Sequence, residues 1–372
     1  LSLWESLLPL LLLKKRILNE RLSYFIRIVI VVLVVGLLVL AVWYQTQLLL
    51  CVFAGMLLAI LWRGVSRWIS SHTPLPYKWA VPLTVLLHLG ILVLFGFIAV
   101  PKLTEGVKQF TAEAPRILQS LENHLNSSMV GAELLKIWES HQQDLSESLL
   151  KWGQLVNVAV TTLGVVVDIL LILVFGLFFI SDPRLYVRGL LHLVSPEKKD
   201  RARQVILCLD NTLFRWFIGK IVDMFSIFVM TILGLWLLDM PLIFTFALIA
   251  FFFSFVPNIG PIISALPPIA YALLDSPSKA LYVALLYMVI QLSETYFVTP
   301  AVQKRASYTP PVLLLFVQFL LGAFAGILGL FLATPLLVTA MVLVKMLYVE
   351  DYLNDNSLNT CEDVLENNKA DG

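Results

Sequence analysis

The sequence is built from apolar runs as long as a bilayer is thick, separated by short charged stretches. A helix needs about 17–25 mostly apolar residues to cross the roughly 30 Å hydrocarbon core. Residues 24–44, 79–100, 155–180, 221–238 and 279–298 meet that length, and 48–62 does so with its flanks. Two further tracts, 242–274 and 310–348, are too long for one straight span. Composition excludes a soluble alternative. Of 372 residues, 59% are hydrophobic and 14% charged, whereas soluble domains average about 45–50% apolar and about 25% charged. No globular interior of this size hides so much apolar surface, so lipid must be part of the solvent. The expected fold class is all-α: a polytopic transmembrane helical bundle with two broken or re-entrant hairpins and extramembrane amphipathic helices.

The distribution of charge sets the expected organisation. Residues 1–23 form a basic segment carrying Lys14, Lys15, Arg16 and Arg21. The apolar run after it lacks a small-residue cleavage site, which predicts a retained span rather than a signal peptide. Residues 24–101 read as three spans, the third ending at Pro101 because proline breaks helices. In 102–153 charges return and apolar residues recur at helical spacing, as in Leu103, Val107 and Phe110, then Ile117 and Leu121. That pattern predicts an extracytoplasmic helical insert. Residues 154–348 read as a transmembrane core with basic amphipathic helices at 184–220, where Ser195 offers an N-cap. Residues 349–372 are acidic and Asn-rich, which predicts a disordered tail. Lys and Arg gather on the cytoplasmic side of membranes, so the N-terminus, the Arg63–Lys78 linker and 184–220 are expected inside.

Both overlong tracts carry helix breakers: Pro257-Asn258-Ile259-Gly260-Pro261 in the first, and Gly322, Gly326, Gly329 and Pro335 in the second. Backbone groups freed by a break must be satisfied by protein or by water in a cavity. Paired interrupted helices often mark a transporter's binding site. The competing reading is close helix packing, which Gly322-x-x-x-Gly326 also fits. Ionisable residues at membrane depth are the second signal, because an unpaired charge there costs at least about 2.5–3.5 kcal/mol. Asp168, Asp223 and Glu294 are candidates for coupling an ion or proton, with Gln291 one turn from Glu294. For Asp223 the structural alternative is an ion pair with Lys220 or Arg215. His88, in the third span, reads as a packed or helix-bonding residue. No metal-ligand spacing, nucleophile elbow or phosphate-cradling loop is present. The expectation is therefore a non-enzyme without metal or cofactor. Net charge is +1, so no field draws in nucleic acid.

Several motifs in this order resemble the autoinducer-2 exporter family, also called PerM-like predicted permeases. They are Phe214-Arg215 with Gly219, Val256-Pro257-Asn258-Ile259-Gly260-Pro261, Gln291 with Glu294 and Pro300, Pro310-Pro311, and Gly326-Ile327-Leu328-Gly329 through Ala333-Thr334-Pro335. The resemblance covers about residues 24–348. The chain departs from the family at Glu294-Thr295-Tyr296-Phe297-Val298-Thr299-Pro300, where the family reads Glu-Asn-x-x-Leu-x-Pro. The resemblance implies a multi-pass protein of a bacterial-type inner membrane with no ATPase of its own. It also implies export of a small polar solute such as the quorum-sensing signal autoinducer-2, or sodium or lithium/proton antiport. For export the expected path is lined by Pro257, Asn258, Gly260, Pro261, Gln291, Glu294, Gly326, Gly329 and Pro335, whereas antiport would use Asp168, Asp223 and Glu294. A non-transporting membrane scaffold is the third possibility. The apolar faces of the extramembrane helices need a cover, so homo-oligomerisation is expected alongside contact with membrane lipid.

Overall fold

The computed structural model describes residues 45–126, 163–298 and 310–355. The chain divides into two units, Leu1–Leu50 and Cys51–Gly372. Only 45–50 of the first are described, and they begin a helix. The expected first span at 24–44, the insert beyond 126 and the tail beyond 355 lie outside the described residues. Among the described residues the elements are α1 (Thr46–His72), α2 (Tyr77–Asn126), α3 (Leu163–Ser181), α4 (Pro183–His192) and α5 (Lys199–Leu237), followed by α6 (Ile243–Phe253), α7 (Ile259–Ala272), α8 (Pro277–Ser293) and α9 (Pro311–Leu343). Six of these, α1, α2, α3, α5, α8 and α9, are long and apolar enough to cross a membrane. The chain is a multi-pass membrane protein.

Local chemistry sets several helix starts. Asp182 accepts a hydrogen bond from the Leu185 amide at 3.2 Å with Pro183 following it, and Ser276 accepts from the Lys279 amide at 3.1 Å ahead of Pro277. An acceptor side chain followed by proline satisfies orphan amides and presets φ. Ser195 behaves otherwise than expected. Its carbonyl, not its hydroxyl, accepts from Lys198 at 3.0 Å, opening a single 3₁₀ turn (Pro196–Lys198) before α5.

Two expectations are corrected. The third span does not stop at Pro101: α2 continues through Pro82, Pro101 and Pro115 to Asn126. The reason is tertiary. Leu103, Val107, Phe110, Ala114 and Ile117 form a buried stripe along one face, and most of it packs into the main core with α5–α8. That packing outweighs the one hydrogen bond that each proline removes. The second correction concerns the tail. Residues 349–355 are ordered, because a π-helical turn (Val344–Glu350) continues α9 and Arg201 bonds Glu350 at 2.8 Å and Asp351 at 2.9 Å.

The first overlong tract is a helical hairpin. At 1.5 Å per residue, α6 and α7 are about 16 Å and 21 Å long, too short for either to cross about 30 Å. Ring contacts fix their register. Phe95 of α2 meets Phe251 and Phe252 at 5.8 and 5.9 Å, and Phe110 meets Phe246 and Tyr271 at 6.4 and 6.5 Å. The open end of the hairpin therefore lies against the second half of α2, where Ser120 donates to the Leu273 carbonyl at 2.7 Å. Its tip points back toward the first half.

The second tract bends sharply at Gly326, whose φ of 59° and ψ of −141° are open essentially to glycine alone. Residues eight apart in a straight helix stand about 12 Å apart. Here a side chain at Gly329 would overlap the Leu321 carbonyl, and Gly322 faces Leu330. The first half of α9 reaches the hairpin tip. The second half runs beside the basic end of α5, where Val342 and Met346 pack on Val205 and Cys208.

Candidate functional site

The hairpin tip is a strained turn. Asn258 has φ 65° and ψ −48°, and the Ile259 amide donates to the Pro257 carbonyl at 2.8 Å. This is the rare form of the γ-turn, which persists only where surroundings impose it. The imposing contacts are visible. The Gly260 amide donates to the Val256 carbonyl at 3.0 Å, and any Cβ at Gly260 would overlap the Phe253 carbonyl. From α9, the wholly buried Gln318 donates through Nε2 to the same Pro257 carbonyl at 3.1 Å. Pro261 sits in the first turn of α7, where its missing N–H costs nothing. One hydrogen bond thus ties the two broken tracts together.

A buried charge cluster stands on α5 and α8. Lys220 Nζ bonds Asp223 Oδ2 at 2.6 Å, with side chains 5% and 3% exposed. Glu294 is also buried; it faces Asp223 and Lys220 and lies beside Gln291. It opens a π-helical turn (Glu294–Val298) at the end of α8, a distortion frequent at functional sites. Asp223 Oδ1 and Glu294 Oε2 have no hydrogen-bond partner among the described residues. Arg215 stays out of the cluster, its Nε donating to Asn211 at 3.2 Å. One ammonium thus pairs with Asp223, while the second carboxyl, Glu294, stands within electrostatic reach of that pair in a buried site.

Aromatic contacts bring tip and cluster to neighbouring depth. Phe255 at the tip meets Trp216 at 5.9 Å, one turn from Lys220, and stacks on Phe331 of α9 at 5.2 Å. Phe225, beside Asp223 in sequence, meets Phe251 at 5.5 Å. The tip that carries Pro257, Asn258, Gly260 and Pro261 thus packs on α5 one turn from Lys220 and Asp223, with the Gly326–Gly329 corner adjoining through Phe331, while Glu294 and Gln291 stand on the α8 side of the charge cluster. Pro335 is buried one turn further along α9.

Two candidates are placed elsewhere. Asp168 of α3 faces α1, accepting from Cys51 Sγ at 3.7 Å. His88 sits edge-on to Trp62, with ring centroids 6.1 Å apart. Sequence reasoning missed two features. Gln318 is one; its signal is a lone amide in the first half of an otherwise apolar tract. The other is the clamp of Arg63 and Arg67 on Asp210, at 2.9 and 3.1 Å, which joins α1 to α5. Arginines four apart on one helix face were its signal.

Comparison with known proteins agrees on one class. The model of the AI-2E family transporters matches residues 28–348. Among curated proteins, "Putative transport protein YueF" of Bacillus subtilis (strain 168) is 22% identical over 70% of this chain and 74% of its own length. "Putative transport protein sll0060" of Synechocystis sp. is 23% identical over 84% of this chain and 89% of its own length.

Proposed function

We propose that this chain, which belongs to the AI-2E family of transporters, is a secondary permease that carries a small polar solute past the tip of the α6–α7 hairpin. The observation that carries the reading is the meeting of two broken tracts, through Gln318 and the Pro257 carbonyl, beside the buried Lys220–Asp223–Glu294 cluster. Backbone carbonyls at a break supply polar groups that hydrocarbon cannot. Export of a quorum-sensing signal such as autoinducer-2 is the direction and substrate class we assign to it, in a bacterial inner membrane with the N-terminus inside.

A specific feature favours ion coupling. With Lys220, Asp223 and Glu294 all ionised the cluster carries one net negative charge, and leaving that charge dry costs several kcal/mol. A proton or a monovalent cation relieves it. Exchange of sodium or lithium for protons, with or without a solute, is therefore the second reading, centred on the same carboxyls. Asp168 lies apart from this centre, and we give it no part in coupling.

Proteoliposomes loaded with a pH-sensitive dye test both readings. Wild-type protein should release protons on addition of sodium, or expel a trapped polar sugar-derived signal when a gradient is imposed. Glu294→Gln should abolish coupling while leaving the protein folded. A variant that transports as well as wild type would refute the assignment.

A further inference from the structure

The face of α5 that carries Asp223 continues with Ile227, Thr231 and Gly234, at the three- and four-residue spacing that aligns side chains on a helix. On α8 the facing series is Glu294, Ile290 and Tyr287. Their antiparallel register is fixed at two points. Leu286 fills the space over Gly234, and Lys279 Nζ donates to the Asp239 carbonyl at 3.1 Å. Asp223 therefore stands opposite Glu294, Ile227 opposite Ile290, and Thr231 opposite Tyr287.

Thr231 and Tyr287 are anomalous for buried residues. Thr231 is 0% exposed and Tyr287 8%, yet Thr231 Oγ1 and the Tyr287 hydroxyl have no hydrogen-bond partner among the described residues. Several helical hydroxyls elsewhere bond back to the carbonyl four residues earlier, as Thr84 does to Ala80, Thr104 to Val100, Ser226 to Val222 and Thr339 to Pro335, although buried Thr334 Oγ1 also has no partner among the described residues. Thr231 forms no such bond. A buried hydroxyl left unpaired forfeits the hydrogen bonds it makes in water, and two unpartnered hydroxyls at one level of the interface offer polar partners to a water or hydrated ion.

We infer that the α5–α8 interface is an aqueous access route for a proton or alkali cation, running from the Lys279 end past Thr231 and Tyr287 to the carboxyl pair, closed by an outer apolar layer of Leu286 with the buried Leu235 and Val283 and an inner one of Ile227 and Ile290. Both isoleucines are buried, 5% and 6% exposed, and form one apolar layer between two polar layers. A constriction of that kind closes by excluding water and opens with a small separation of its walls. This rests on the reading of Asp223 and Glu294 as the coupling site and adds the path by which that site is reached.

Thiol accessibility tests the route independently of transport. In a chain with its native cysteines replaced by serine, Thr231→Cys is probed with a small cationic, membrane-impermeant methanethiosulfonate, which reacts only with a hydrated thiolate. The lipid-facing Leu233→Cys is the negative control and Asp275→Cys, at the open end, the positive one. Labelling of Thr231→Cys, several-fold faster with Leu286→Ala added, is the expected result. Thr231→Cys as inert as Leu233→Cys in both backgrounds, with Asp275→Cys labelled, overturns the route. Tyr287→Phe supplies a second readout: it should keep the melting temperature and slow ion-driven dye signals, and an unchanged signal would count against the route. Labelling without any ion or solute flux would sink the functional reading alone. Flux lost in Glu294→Gln without labelling would sink the route alone.

Discussion

Lys220 is the residue on which most depends. Its ammonium is the one positive charge paired with Asp223 inside the protein, and removing one partner of a buried pair costs about 3–5 kcal/mol. Lys220→Met should lower the melting temperature sharply in detergent, and Lys220→Met with Asp223→Leu should recover part of the loss. Gly260 gives a steric counterpart. Gly260→Ala must push the Phe253 carbonyl aside, an overpacking worth about 1–3 kcal/mol, whereas Gly90→Ala meets nothing within 4 Å and should be neutral or mildly stabilising. Differential scanning fluorimetry of the two alanine variants separates these outcomes. At this scale the sequence was legible where chemistry is local. The Pro257–Pro261 run announces a break by itself, and Glu294 announces a buried charge. Gln318 was not legible, because its importance lies in a carbonyl 61 residues away.

Among the elements, α2 teaches most. A proline rule applied to Pro101 ends the helix there, yet the helix runs on because its stripe from Leu103 to Ile117 has the α6–α7 hairpin to dock against. Residue spacing revealed the stripe, but nothing local revealed its partner. The continuous helix makes a prediction. Pro101→Ala restores a backbone donor and removes a ring clash that together cost up to about 3 kcal/mol in a helix interior, so the variant should melt at a higher temperature. A helix that ended at Pro101 would show no gain. The two overlong tracts were legible as interrupted, since no straight helix of 33 or more residues suits one bilayer. Their different solutions were not. A turn of five residues separates α6 from α7, while a single glycine conformation at Gly326 folds α9 on itself.

Across the described residues, two groups of interior polar contacts bear most on the account. At the basic end of α5, Arg63 and Arg67 hold Asp210, and Arg201 holds Glu350 and Asp351. These clamps join α1, α5 and the end of α9 without reaching the candidate site. Elsewhere a short helical hairpin, a bent helix and a three-charge cluster stand where a simple bundle would present only apolar side chains. That arrangement is the central claim, and a density map of the protein in lipid nanodiscs tests it most directly. The account predicts that 243–273 enters and leaves on one face of the bilayer, with ordered non-lipid density between the Pro257 carbonyl and the Asp223–Glu294 carboxyls. Acyl chains packed against 254–260, with the carboxyls sealed off from any water or ion, would contradict it.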